Sequence, residues 1–215
     1  MNSSHFSFPH PTTLIIAGPT KSGKTFFVMR CLRHNLFNPS PDRIIWFYKE
    51  WQENYDLIKH DIPSIEFVSG IDEKVLESVR KTEKNLIILD DLMRVGGKSK
   101  NIASMFTEES HHKNLTVVFI VQNIFNQGKE MRNISLNAHF LVLYKNPRDR
   151  TQIRTLGYQI FPDDPKFLVS AFEHATQIPH SYLVVDLHPE TKEEFRLVTN
   201  IFPGENIRFY NQSKV

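Results

Sequence analysis

The sequence predicts an α/β fold: a mostly parallel sheet with helices on both faces, extended near its C-terminus by a β-hairpin. Three observations carry this. Short uninterrupted apolar runs, such as 117–121 and 86–89, have the composition of strands buried on both faces. Segments with helical spacing lie between such runs, and strands alternating with helices make parallel sheets. A loop over 18–25 carries two of the chain's 8 glycines and joins the first apolar run to a helix, in strand–loop–helix order.

Length and composition set the outer limits. At 215 residues the chain suits a single domain, 1–215, with 1–11 as an N-terminal arm and 179–215 as a C-terminal hairpin and tail. Apolar residues make up 40% and charged residues 23%, ordinary for a folded chain. A net charge of +2 excludes a strongly basic coat protein and leaves nucleic-acid binding to be argued locally. Cys31 is the single cysteine, so an intramolecular disulfide is excluded and a reducing compartment is expected. No apolar run approaches the ~20 residues of a membrane span. No signal-peptide pattern is visible at the start. No membrane association is therefore expected, and the expected location is intracellular.

The elements follow in order. The arm carries Phe6 and Phe8 among polar residues and is expected to lie against the domain. Thr13–Ala17 reads as a strand, and a helix is expected over 25–35. Its apolar residues Phe26, Phe27, Met29 and Leu32 form no clean stripe, which predicts a largely buried helix. Prolines at 39 and 41 end it. Arg43–Tyr48 and 65–68 read as strands. Asp72 is placed to cap a helix holding Val75, Leu76 and Val79. The run 86–89 is a buried strand leading into Asp90 and Asp91. Ile102, Met105 and Phe106 mark an amphipathic helix, followed by strands Leu115–Val121 and Phe140–Tyr144. Asp164 and Pro165 open a helix as N-cap and first residue, with Phe167, Leu168, Ala171, Phe172 and Ala175 on its apolar face. Tyr182–Asp186 and 195–198 form the hairpin.

Gly18, Pro19, Thr20, Lys21, Ser22, Gly23, Lys24 and Thr25 match G-x-x-x-x-G-K-[ST]. In that pattern loop N–H groups hold phosphate oxygens, the lysine adds a point charge on the β and γ phosphates, and the last hydroxyl ligates Mg²⁺. The predicted ligands are therefore ATP and Mg²⁺, with Lys24 catalytic as well as nucleotide-binding and Thr25 a metal ligand. Asp90 and Asp91 end a buried strand, which puts them beside the loop at the carboxyl edge of the sheet. Asp90 is assigned to the metal and Asp91 to the attacking water, although the two roles can be exchanged between these acids. Gln122 ends the next strand and is the candidate γ-phosphate sensor, with Asn123 second. A ring enzyme completes such a site with an arginine from the neighbouring subunit, for which Arg132 is favoured and Arg148 is next.

Other residues read as structural. His111 and His112 lack further metal ligands at a usable spacing. Trp46, Phe47 and Tyr48 suit strand packing, Cys31 suits a buried helix face, and Glu108 and Glu109 suit a solvated one. The loop 94–100, with Arg94, Lys98, Lys100 and two glycines, is a candidate for lining a pore and touching DNA phosphates.

Together these motifs resemble the DNA-packaging ATPases of poxviruses, of related large and mid-sized DNA viruses and of virus-like transposons, within the FtsK/HerA superfamily. The resemblance runs from His10 and Pro11 through the 18–25 loop and the sequence Leu89 to Leu92. It continues over Glu109 to Asn114, Val121 to Asn123, Arg132 to Ala138 and Tyr144 to Asp149, and fades beyond Pro162. It implies a RecA-like core, a homo-oligomeric ring of five or six subunits, ATP hydrolysis, double-stranded DNA as cargo, capsid or portal proteins as partners, and a location in a host nucleus or cytoplasm or with a virion. It carries over Lys24, Thr25, Asp90, Asp91, Gln122 and Arg132 in the roles above. The chain departs from the superfamily's common Asp-Glu at Asp90–Asp91 and has Lys21 where glycine is common.

Two other functions fit the same residues. Arg148, Arg150 and Arg154 could form the phosphate lid of a nucleotide or small-molecule kinase. A nucleotide-gated scaffold that binds without turnover is the other.

Overall fold

The computed structural model describes residues 6–92, 104, 114–125 and 129–212. Apolar residues on both sides of a strand demand cover on both sides, and the chain supplies it. Strand β1 (Phe8–Pro9) precedes the central strand β2 (Thr13–Ala17), which leads into helix α1 (Lys24–Arg33). Then come β3 (Phe37–Asn38), β4 (Arg43–Tyr48), α2 (Glu53–Asp61), β5 (Ile65–Ser69), α3 (Glu73–Glu77) and β6 (Asn85–Asp90). The second half holds β7 (Leu115–Val121), α4 (Lys129–Leu136), β8 (Phe140–Tyr144), α5 (Thr151–Ile160) and α6 (Pro165–Ala175). It closes with β9 (Tyr182–Asp186), β10 (Leu197–Thr199) and β11 (Arg208–Tyr210).

Among the described residues, nine strands pair in the order β11-β10-β9-β8-β2-β7-β6-β4-β5. The six from β8 to β5 are parallel, and β9, β10 and β11 extend the sheet as antiparallel neighbours. Side chains alternate across the pleat and build two cores. Ile15, Ala17, Leu89 and Phe119 face one layer with Ile134 of α4, Leu156 of α5 and Leu168 of α6. Leu14, Ile16, Ile88 and Val118 face the other with Phe27 and Cys31 of α1 and Tyr55 and Ile58 of α2. Trp46 and Phe47 are fully buried, one in each layer, so they pack as strand residues.

The amino ends of the parallel strands are sealed by short polar contacts. Thr12 N–H donates to Thr116 Oγ1 (3.2 Å), which also pairs with His10 Nδ1 (2.7 Å). Thr13 Oγ1 donates to Asn137 O (3.1 Å), and Asn85 Nδ2 donates to Arg80 O and Glu83 O (both 2.8 Å). The arm does lie on the domain: Phe8 is buried, and β1 pairs with β3 in a separate two-stranded sheet.

Several expectations change. Helix α1 is not buried all round, because Phe26 is 53% exposed while Phe27, Val28, Met29, Cys31 and Leu32 are buried. Asp72 caps α3 through Lys74 N–H as expected (2.9 Å), whereas Asp164 occupies the N-cap of α6 without a side-chain capping bond. The C-terminal hairpin gains a third strand, β11. Of the helix expected near 102–106 only residue 104 is described, and it is helical; the 94–100 loop, Glu108, Glu109, His111 and His112 lie outside the described residues.

Candidate nucleotide site

All six parallel strands end on the same edge, so Ala17, Asp90, Val121 and Tyr144 finish side by side there, where ligands of open α/β sheets bind. The 18–25 loop leaves β2 at this edge. Gly18 N–H donates to Val121 O (3.2 Å), and a Cβ at Gly18 would lie 2.5 Å from Tyr144 Cβ, so only glycine lets the loop pass β8. Gly23 has φ 107°, a left-handed conformation that L side chains resist, and it turns the loop into α1. Lys21 also adopts positive φ (65°). Glycine would hold that backbone at lower cost, by ~1–2 kcal/mol, which is a physical reason for glycine to be common at this position; nothing in the structure explains the lysine.

The first turn of α1 has N–H groups without intrahelical acceptors, directed back toward this loop. Lys24 Nζ donates to Gly18 O (2.7 Å) and Pro19 O (2.8 Å), folded onto the carbonyls of its own loop. Burial pushes its pKa down, against the pull of Asp90 and Asp91. Thr25 Oγ1 donates to Asp90 Oδ2 (3.3 Å), and the same oxygen accepts Tyr55 Oη from α2 (2.7 Å). Asp90 is 4% exposed, and burial raises its carboxyl pKa despite the opposing Tyr55, Lys24 and Thr25. Tyr55 is fully buried, and burial with the adjacent Asp90 charge drives its pKa far upward, so its hydroxyl stays a donor.

Asp91 is exposed, with φ 54°. Its N–H still pairs with Ile120 O (3.3 Å), but the left-handed backbone, which aspartate tolerates better than most residues, turns the chain off the strand. Gln122 is exposed and lines a small cleft with Gly18, Tyr144, Asn146 and Asp149. Asn123, the second choice, is engaged otherwise: its Nδ2 donates to Asp149 Oδ2 (3.2 Å) and its Oδ1 accepts Phe125 N–H (2.8 Å). Gln152 ties the same turn down, accepting Ile124 N–H (3.1 Å) and donating to Asp149 (2.8 Å).

The fold thus brings Gly18–Thr25, Asp90, Asp91 and Gln122 to one edge. Arg132 is not among them; it is exposed on α4, with no side-chain hydrogen bond or ion pair to the described residues. Arg148, Arg150 and Arg154 are exposed too.

Tyr55, Tyr144 and His180 are site residues the sequence reading missed. His180 Nδ1 lies 3.2 Å from Ser22 O, and Tyr144 Oη donates to Gly23 O (3.4 Å). With Phe26, Ile178 and Phe202, Tyr144 and His180 line a cleft of about 510 Å³ beside Gly23, a volume that suits a nucleoside. Tyr144 left a trace in the sequence as the end of an apolar run, and Tyr55 a fainter one, standing three residues before Ile58 on one helix face.

No protein-family model matches the chain, and no curated protein matches it by sequence. Solved structures do. The genome packaging NTPase B204 from Sulfolobus turreted icosahedral virus 2, in complex with ATP-gammaS, superposes with a TM-score of 0.57 at 12% identity, over 95% of this chain and 98% of that one. The DNA-packaging ATPase B204 of Sulfolobus turreted icosahedral virus gives 0.57 at 10% identity with the same coverage. The cytoplasmic domain of EssC gives 0.51 at 12% identity, over 95% of this chain and 41% of that one. The α/β fold expected from the sequence is therefore the fold of these ATPases.

Proposed function

We propose that the chain is an ATP-hydrolysing motor that drives double-stranded DNA into a viral capsid. The observation that carries this reading is the meeting of Lys24, Thr25 and Asp90 at the end of the 18–25 loop, with Thr25 and Asp90 joined by a 3.3 Å hydrogen bond. Support comes from the shared fold of B204, a packaging NTPase that has been seen with ATP-gammaS.

The residues fit a magnesium nucleotide. A buried carboxylate that, among the described residues, is held by hydroxyl donors offers hard oxygen ligands, beside the Thr25 hydroxyl, and these suit Mg²⁺. When bound, the ion neutralises charge on the β and γ phosphates. Lys24 leaves the Gly18 and Pro19 carbonyls and turns its ammonium to the phosphates. The N–H groups of the α1 first turn hold phosphate oxygens, and the Phe26–His180 cleft receives the adenosine. Asp91, exposed at the edge, orients the attacking water and accepts its proton, while Gln122 senses the γ-phosphate from the end of β7. Arg132 acts on a neighbouring subunit's nucleotide, in a ring of five or six copies of the 1–215 domain. Capsid or portal proteins hold the ring at the vertex, and contacts to DNA phosphates are independent of sequence and sensitive to salt.

A kinase lid is disfavoured because Arg154 sits on α5, a helix anchored by buried Gln152, Ile153 and Leu156. The test is ATP hydrolysis with and without long duplex DNA, with particle mass measured in the same buffer. Turnover stimulated by DNA in an oligomer of five or six supports the motor. Phosphate transfer to a small acceptor without DNA supports a kinase, and binding without turnover supports a scaffold.

A further inference from the structure

We propose that Tyr55 is a positioning residue that holds the Asp90 carboxylate in the orientation needed for magnesium. This rests on the nucleotide and magnesium reading given above. Asp90 Oδ2 takes two donors, Tyr55 Oη at 2.7 Å and Thr25 Oγ1 at 3.3 Å, and Oδ1 accepts none from the described residues. The two oxygens are therefore distinct: one is anchored and the other is left for the ion or its water. The Thr25 hydroxyl must turn to the metal when the ion arrives, and Tyr55 is then the donor that keeps Oδ2 in place.

The phenol is rigid enough for this task. Its ring meets Trp46, Tyr48 and Trp51, each at 5.5 Å between centroids, and Phe67 at 5.3 Å. Trp46 is buried in the sheet and Trp51 is 44% exposed at the start of α2, so the ring is gripped from both sides. A donor this well fixed, on a carboxylate this buried, belongs to the shell that orients metal ligands, where substitution changes metal affinity by about 10–100-fold. The arrangement supplies its own reporter, because Trp46 and Trp51 are the chain's 2 tryptophans and both touch Tyr55.

The experiment titrates MgCl₂ against a fluorescent ATP analogue on wild type, Tyr55→Phe, Asp90→Asn and the double variant, with a parallel titration in EDTA. Tyr55→Phe removes one oxygen and keeps the ring. The expected result is a half-saturating magnesium concentration raised about tenfold, with affinity in EDTA unchanged. In the Asp90→Asn background the tyrosine change should have no further effect, because its influence passes through the carboxylate. An unchanged magnesium midpoint, an equal loss in EDTA, or additive losses in the double variant would overturn the proposal. Should Tyr55→Phe fail to fold, wild-type tryptophan emission decides. It must change when magnesium joins the bound nucleotide and stay constant in Asp90→Asn; a silent wild type overturns the assignment. Wild type that binds no nucleotide under either condition removes the nucleotide reading itself.

Discussion

The two ends of the same parallel strands are built from different chemistry. At the amino end Thr12, Thr13, Thr116 and Asn85 are buried neutral groups that pair with backbone, with His10 or with one another at 2.7–3.2 Å. At the carboxyl end the buried or half-buried groups are an ammonium, Lys24, and a carboxylate, Asp90, held by loop carbonyls and by hydroxyls. Neutral polar groups, once paired, lower the cost of closing a sheet. Charges in the same position carry a desolvation penalty, seen in the downward pKa of Lys24 and the upward pKa of Asp90. One end therefore serves the fold, and the other stores interactions that a ligand can take over.

That contrast breaks if substitutions at the two ends behave alike. Lys24→Ala should have the largest effect. ATP turnover falls by more than about 10³-fold, the upper range for removing one charge-stabilising group, while the melting temperature holds or rises. Arg132→Ala, midway along α4, should lower kcat by about 10³-fold in the proposed ring and leave ATP binding intact; full retained activity removes Arg132 from the role. Thr116→Val strips partners from Thr12 N–H and His10, and should cost about 1–3 kcal/mol. Calorimetry would show this as a melting point several degrees lower, with nucleotide affinity unchanged. The smallest change in stability belongs to Asp90→Asn, which should stabilise the chain by about 0.5–1 kcal/mol, since a buried charge is removed, although magnesium-dependent turnover is lost.

How much of this was legible follows from how local each signal is. Strands Thr13–Ala17, Arg43–Tyr48, Leu115–Val121 and Phe140–Tyr144 have the bounds read from the sequence, because a strand covered on both faces is written as one apolar run. Helix α2 left almost no trace, as only Tyr55 and Ile58 are buried in it. Helix α5 hid for another reason: it buries Gln152 and Gly157 beside Ile153 and Leu156, so its inner face does not read as apolar. The third antiparallel strand was missed because Arg208, Phe209 and Tyr210 pack at an edge with little burial. In the candidate site, the placement of residues 18–25 and Asp90 at one edge was legible because one pattern is contiguous and the other ends a strand. Tyr55 reaches Asp90 across 35 positions of sequence, and His180 reaches Ser22 across 158; such pairs exist only after folding. Lys21 is the intermediate case, a residue that looked neutral until its positive φ showed what glycine does there.

The central claim is that the carboxyl edge between Lys24 and Asp90 grips a triphosphate. Calorimetric titration of ATP-gammaS with magnesium into wild type, Lys24→Ala and Thr116→Val tests it most directly. Saturable binding at one site per chain, kept in Thr116→Val and lost in Lys24→Ala, is the predicted result. Equal affinity in wild type and Lys24→Ala, or no binding heat in wild type, would contradict it.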